Sequence, residues 1–131
     1  MNGGGAKRIL VVDDDEAIRQ VASLALAGAG YAVKTASDGE AAIDEAHAWL
    51  PDLVLLDVNM PGMDGWEALR LIKIDEALRH LPVVMFTIKG EVRDKVHALQ
   101  DGASDFITKP FGYDELLERV ERILLSLGTR S

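Results

Sequence analysis

Leu53-Val54-Leu55-Leu56-Asp57-Val58-Asn59-Met60-Pro61-Gly62-Met63-Asp64-Gly65 is the stretch that decides how the rest of the chain is read. Four apolar residues run straight into a carboxylate, and Pro61 and the glycines then break the run. That is the pattern of a strand buried on both faces that ends in a loop, with Asp57 at its carboxyl end. An aspartate in such a place is, by itself, an ordinary turn former or helix cap. A chemical role needs partners delivered by other strands.

Upstream, residues 1–7 read as a flexible tail, and Arg8-Ile9-Leu10-Val11-Val12 as a first buried strand closed by Asp13-Asp14-Asp15. A helix to about Ala29 follows, with an apolar stripe of Ile18, Val21, Ala22 and Ala25 and a stop at Gly28 and Gly30. Tyr31 to Thr35 alternates in character and suits a strand near an edge. Ser37-Asp38-Gly39-Glu40 fits a capping box with Ser37 as the cap, opening a helix to about Trp49, and Pro51 ends that unit. Downstream, Trp66, Leu69 and Ile72 mark a third helix, and Pro82 to Thr87 a fourth, apolar strand. Val92, Val96 and Leu99 predict a helix between Gly90 and Gly102. Asp105 to Thr108 is a short, more polar strand ending at Lys109-Pro110, and Leu116, Val120, Ile123 and Leu127 stripe a last helix.

Five strands alternating with five helices imply right-handed crossovers and a parallel sheet covered on both faces. Strands one, three and four are nearly all apolar and belong at the centre. Strands two and five carry Lys34, Asp105 and Thr108 and belong at the edges. The fold class is therefore α/β, doubly wound, with the flavodoxin-like strand order 2-1-3-4-5. In that topology every strand's carboxyl end lies on one edge, where Asp13, Asp14, Asp57, Thr87 and Lys109 converge.

Composition narrows the function. One domain accounts for 131 residues at 48% hydrophobic content. The absence of cysteine excludes disulfides and thiolate metal sites. No apolar run reaches membrane-spanning length and the start lacks a signal-peptide core, so a cytoplasmic protein with no membrane partner is expected. A net charge of −8 with scattered Lys and Arg argues against direct nucleic-acid binding by this domain.

Three clustered carboxylates repel by about 4 kcal/mol per pair at ~4 Å and an effective dielectric near 20. Lys109 neutralises one charge, and a hard divalent cation neutralises more. An oxygen-only set without Cys or His suits Mg²⁺, with Mn²⁺ as the alternative, and not zinc. A carboxylate flanked by a cation site, a hydroxyl and an ammonium is equipped to accept a phosphoryl group, since that transfer needs charge neutralised on the equatorial oxygens.

With Val-Val-Asp13-Asp14, Leu-Leu-Asp57-Val-Asn-Met-Pro-Gly-Met-Asp-Gly, Phe-Thr87 and Lys109-Pro110 in place, the chain resembles the receiver domain of two-component response regulators from about Lys7 to Leu127. The resemblance implies that Asp57 is the phosphoacceptor, that Asp13, Asp14 and Asp57 hold Mg²⁺ with the backbone carbonyl of Asn59, and that Thr87 and Lys109 bind the phosphoryl group. It implies a cis bond before Pro110. It also implies a switch in which Thr87 moves toward the phosphoryl group and the aromatic at Phe106 turns inward. That movement changes the surface made by the fourth helix, the fifth strand and the fifth helix. The implied partners are a sensor histidine kinase or phosphotransfer protein and an output domain or target protein, with a phosphorylation-dependent homodimer left open. The module would catalyse only its own phosphotransfer and dephosphorylation. A receiver domain over residues 8–127 leaves 128–131 as a terminal tail or a linker stub.

One departure stands out: the family usually has a small residue after the threonine, and here it is Ile88, expected to narrow access for phosphodonor and water, with Lys89 at the same mouth. This departure supports the alternative of a phosphorylation-independent interaction domain. A phosphatase of the haloacid-dehalogenase type needs an acid two residues after its nucleophile, where this chain has Asn59 and no cap insert. Gly28-Ala29-Gly30 follows a helix and is read as a helix stop, not a dinucleotide loop. His47, His80 and His97 lack ligand spacing and suit solvated helix faces, while Trp49 and Trp66 are read as packing residues.

Overall fold

In the computed structural model, which describes residues 5–88, 100, 102–109 and 111–128, the apolar runs form strands and the amphipathic stretches form helices. Strand β1 spans Arg8–Val12, helix α1 Glu16–Gly28, β2 Ala32–Ala36, α2 Gly39–Trp49 and β3 Leu53–Asp57. Helix α3 spans Gly65–Ile74, β4 Val83–Ile88, β5 Asp105–Lys109 and the C-terminal helix α4 Tyr113–Gly128. The five strands are parallel in the order β2-β1-β3-β4-β5, the expected one. The helix expected between Gly90 and Gly102 lies, apart from Gln100 and Gly102, outside the described residues, so four helices are described.

Alternation along the central strands divides their side chains between two cores, because successive residues of a strand face opposite sides. Leu10, Val12, Val54, Leu56, Val83 and Met85 pack with Leu69 and Ile72 of α3 and Ala42 and Ala46 of α2. Ile9, Val11, Leu53, Leu55, Val84 and Phe86 pack with Leu26 of α1 and Leu116 and Val120 of α4. Apolar residues at nearly every position of β1, β3 and β4 follow from this, since both faces are covered. Edge strand β2 has exposed Lys34 and Thr35, as its mixed sequence anticipates.

Aspartates fix three of the helix starts. Asp15, Asp38 and Asp64 accept from the backbone N–H groups of Ala17, Ala41 and Glu67 at 2.9, 2.8 and 2.9 Å. The expected cap of α2 was Ser37, and the structure corrects it to Asp38: Ala42 N–H donates to the Asp38 carbonyl at 3.0 Å, so the first turn closes one residue later than the capping box implies. At the other end of α2, Leu50 takes the left-handed conformation (φ 53°) ahead of Pro51. Among the described residues no helix is long and apolar enough to cross a membrane.

Candidate phosphoryl-acceptor site

Site geometry begins with strand ends. Asp13 follows β1 and its N–H donates to the Ala36 carbonyl at 3.2 Å, tying it to the end of β2. Asp57 ends β3, and the N–H of the next residue, Val58, donates to the Phe86 carbonyl of β4 at 3.2 Å. Helix α3 comes very close behind it: a Cβ at Gly65 would run into the Asp57 backbone carbonyl, so only glycine fits there. Register pairs Thr87 with Thr108 and Ile88 with Lys109, bringing the ends of β4 and β5 to the same edge.

Lys109 Nζ donates to Asp13 Oδ2 at 2.8 Å and to Asp57 Oδ1 at 3.0 Å, uniting residues 96 and 52 positions apart. Asp13 is fully buried and Asp57 only 4% exposed, so this ion-pair triad sits where charge is costly to hold. Burial pushes the Asp57 carboxyl up to about 6, and the charge of Asp13 adds to the rise. The hydrogen bond and charge of Lys109 and the Asn59 N–H, 3.4 Å from Asp57 Oδ1, pull the other way. Burial also pulls Lys109 down, but its bonds to Asp13 and Asp57 and their charges outweigh it and leave it above the ordinary lysine value. Asp57 is therefore an ionised but unusually basic carboxylate at neutral pH, a property that favours nucleophilic attack.

Asp13, Asp14 and exposed residues around them complete the pocket. Asp13, Asp14 and Asp57 each offer a carboxylate oxygen, all within 4.8 Å of one another. An oxygen-only set of three acids fits a hard divalent cation, and Asp14, being exposed, keeps that side open to water and phosphate oxygens. A cleft of about 500 Å³ opens beside Asp14, between Asp38 and Glu40 on one wall and Pro61 and Met63 on the other.

Of the expected site residues, Asp13, Asp14, Asp57 and Lys109 are brought together by their side chains. Asn59 is beside Asp57, with its side chain exposed. Thr87 and Ile88 are placed by backbone only, and Lys89 and Pro110 lie outside the described residues. Phe106 is half-buried on β5 opposite Met85, packed against the core beneath α2 and α3. The sequence reading missed the residues that hold these groups in place. Asp15 donates its N–H to Asp13 Oδ1 at 2.9 Å while capping α1, so the third acid of the run is structural. Arg19 Nη1 donates to the Asp13 carbonyl at 2.7 Å. Phe86 lies under the ammonium of Lys109, 5.7 Å from ring centre to Nζ, and stacks on Phe111 at 5.1 Å. A basic residue one turn into the helix after the acids was the only available sign of Arg19's role.

The fold and this pocket define a class: a doubly wound parallel α/β domain with an acid cluster and a lysine at its topological switch point. Residues 9–121 match the response regulator receiver domain, and the chain belongs to that family of two-component signalling modules. It is 40% identical over 119 residues to the phosphate regulon transcriptional regulatory protein PhoB of Klebsiella pneumoniae, covering 91% of this chain and 52% of that protein. It is 46% identical over 116 residues to the response regulator PleD of Caulobacter vibrioides, covering 88% of this chain and 26% of PleD. The chain thus spans about half or less of the length of these relatives. Among solved structures, a putative response regulator from Chloroflexus aurantiacus superimposes with TM-score 0.88 at 36% identity, covering 92% of this chain and 98% of that one. A chemotaxis response regulator of Vibrio cholerae gives 0.85 at 34% identity, covering 90% and 98%.

Proposed function

We propose that the chain is a phosphorylation-controlled receiver that takes a phosphoryl group from a sensor histidine kinase or phosphotransfer protein onto Asp57. The observation that carries this reading is the bridging of Asp57 and Asp13 by Lys109, with three carboxylate oxygens gathered around it. An Asp57 oxygen attacks phosphorus, the new O–P bond forms as the donor's N–P bond breaks, and the departing imidazole nitrogen takes a proton from water. Lys109 stays within reach of Asp57 Oδ1 and offers its ammonium to a phosphoryl oxygen, and Thr87 offers a hydroxyl from the neighbouring strand end.

Asp13, Asp14, Asp57 and the Asn59 carbonyl would hold Mg²⁺, or Mn²⁺ in its place, which when bound supplies positive charge to the phosphoryl oxygens. The resulting acyl phosphate is labile and suits a transient signal. Phe106 then carries the change toward the β5 and α4 surface, where an output domain, a target protein or a second copy would read it. In this reading the domain catalyses only its own phosphotransfer and the hydrolysis of the resulting aspartyl phosphate. Incubation with acetyl phosphate and Mg²⁺, followed by intact mass measurement, tests the reading: one phosphoryl adduct on wild type and none on Asp57→Asn. An adduct on both proteins, or on neither, would sink it.

A further inference from the structure

Strand β5 is the last in the sheet, so one of its sides meets no strand, and proteins normally cover or charge such an edge. Here the cover converges on one residue. The Phe106 N–H donates to Asp105 Oδ1 at 2.8 Å, and the Phe106 carbonyl accepts from Arg119 Nη1 at 2.6 Å, so side chains take up both backbone groups. The same Arg119 nitrogen donates to Asp105 Oδ1 at 3.2 Å. The guanidinium carbon lies 5.8 Å from the centre of the Phe106 ring, within the range of a cation–π contact. Arg119 therefore reaches from α4 to the main chain, the capping carboxylate and the ring of Phe106 at once.

We infer that Arg119 is the positioning residue that holds Phe106 in its resting place, so that the resistance to moving the ring is set from α4 and not only from the phosphorylation site. This rests on the proposed switch role of Phe106. A ring that turns inward must leave the guanidinium, while the main chain stays tethered to it. Arg119 thus opposes the rotamer change specifically and guards the strand edge in either state. Only the cation–π contact differs between the two ring positions, and it is worth a several-fold change in an equilibrium, so losing it shifts the Phe106 ring several-fold toward the inward position. Arginine's planar fork serves backbone and ring together, which a lysine ammonium does not, so Arg119→Lys restores only part of the hold.

Nuclear magnetic resonance on the full chain tests this, with beryllofluoride and Mg²⁺ as the phosphoryl stand-in. In Arg119→Ala without beryllofluoride, the Asp105 carboxylate that accepts from the Phe106 N–H loses its own Arg119 partner, so the Phe106 amide should exchange with solvent several-fold faster than in wild type, while the neighbouring buried Ile107 amide keeps its rate. The Phe106 ring signals should already lie part-way to their beryllofluoride-bound positions, with Arg119→Lys intermediate. If beryllofluoride moves the ring in wild type but Arg119→Ala leaves both amide and ring unchanged, the inference is overturned and the switch reading stands. If beryllofluoride binds wild type without moving the ring, both fall. Equal acceleration at Ile107 would show a general loosening of β5 and would also overturn the inference; Asp105→Asn, which weakens the same clamp from the strand side, checks the result in a fold that keeps Arg119.

Discussion

Replacing Asp57 by Asn should make the metal-free protein more stable at neutral pH, although it removes a charge that Lys109 holds. The reason lies in the balance at that carboxylate. Its value of about 6, against an ordinary 3.8, already includes the favourable pull of Lys109, and burial still wins. A carboxyl raised in the folded state binds a proton more tightly there than in the unfolded chain. Its contribution to stability is therefore fully present below about pH 4 and is lost as pH rises through about 6. Two pH units correspond to about 3 kcal/mol, the cost of keeping Asp57 ionised at pH 7.5. Asparagine stands in for the neutral carboxyl and lacks that cost, while Lys109 keeps its 2.8 Å bond to Asp13. Urea denaturation in a chelator should show Asp57→Asn more stable than wild type by about 2–3 kcal/mol near pH 7.5. The gap should close as pH falls toward 4. Saturating Mg²⁺ should narrow it at neutral pH, because a cation bound among the acids stabilises only the protein that has all three. A variant less stable than wild type at pH 7.5, or a gap that does not change with pH, would refute the reasoning.

Three further outcomes follow from the same geometry. Gly65→Ala places a Cβ against the Asp57 carbonyl and should cost about 2–4 kcal/mol by urea denaturation, far more than alanine for glycine at an open helix start. Asp38→Ala should cost about 1 kcal/mol through loss of the α2 cap, whereas Ser37→Ala should stay within about 0.5, and the reverse order would restore the capping box. Ile88→Ala should speed both phosphorylation by acetyl phosphate and hydrolysis of the adduct, followed by quenched-flow mass measurement; unaltered rates would remove access control from Ile88.

How much of this was legible in the sequence depends on the distance over which each feature acts. Strand order followed from composition, because a strand buried on both faces tolerates few polar residues and an edge strand tolerates several; Lys34 and Asp105 gave the edges away. Asp13, Asp57 and Lys109 followed from topology, since a parallel sheet collects strand ends wherever their side chains point. The closeness of α3 to Asp57 at Gly65, the Phe86–Phe111 stack and the reach of Arg19 and Arg119 follow neither rule. They depend on how nearly a helix approaches a strand, which side-chain volumes throughout the core determine together. Electrostatics shows the same limit. In sequence, three acids repel one another and Lys109 offsets one of them. In the fold Lys109 is shared by two, Asp14 is exposed, and burial outranks Asp13 as the cause of the raised Asp57. Burial is what makes the residue expensive and what makes it basic, so the stability lost at Asp57 and its capacity to attack phosphorus have one physical origin. A substitution that lowers the first without touching the carboxylate, by opening the pocket to water, should therefore lower the second with it.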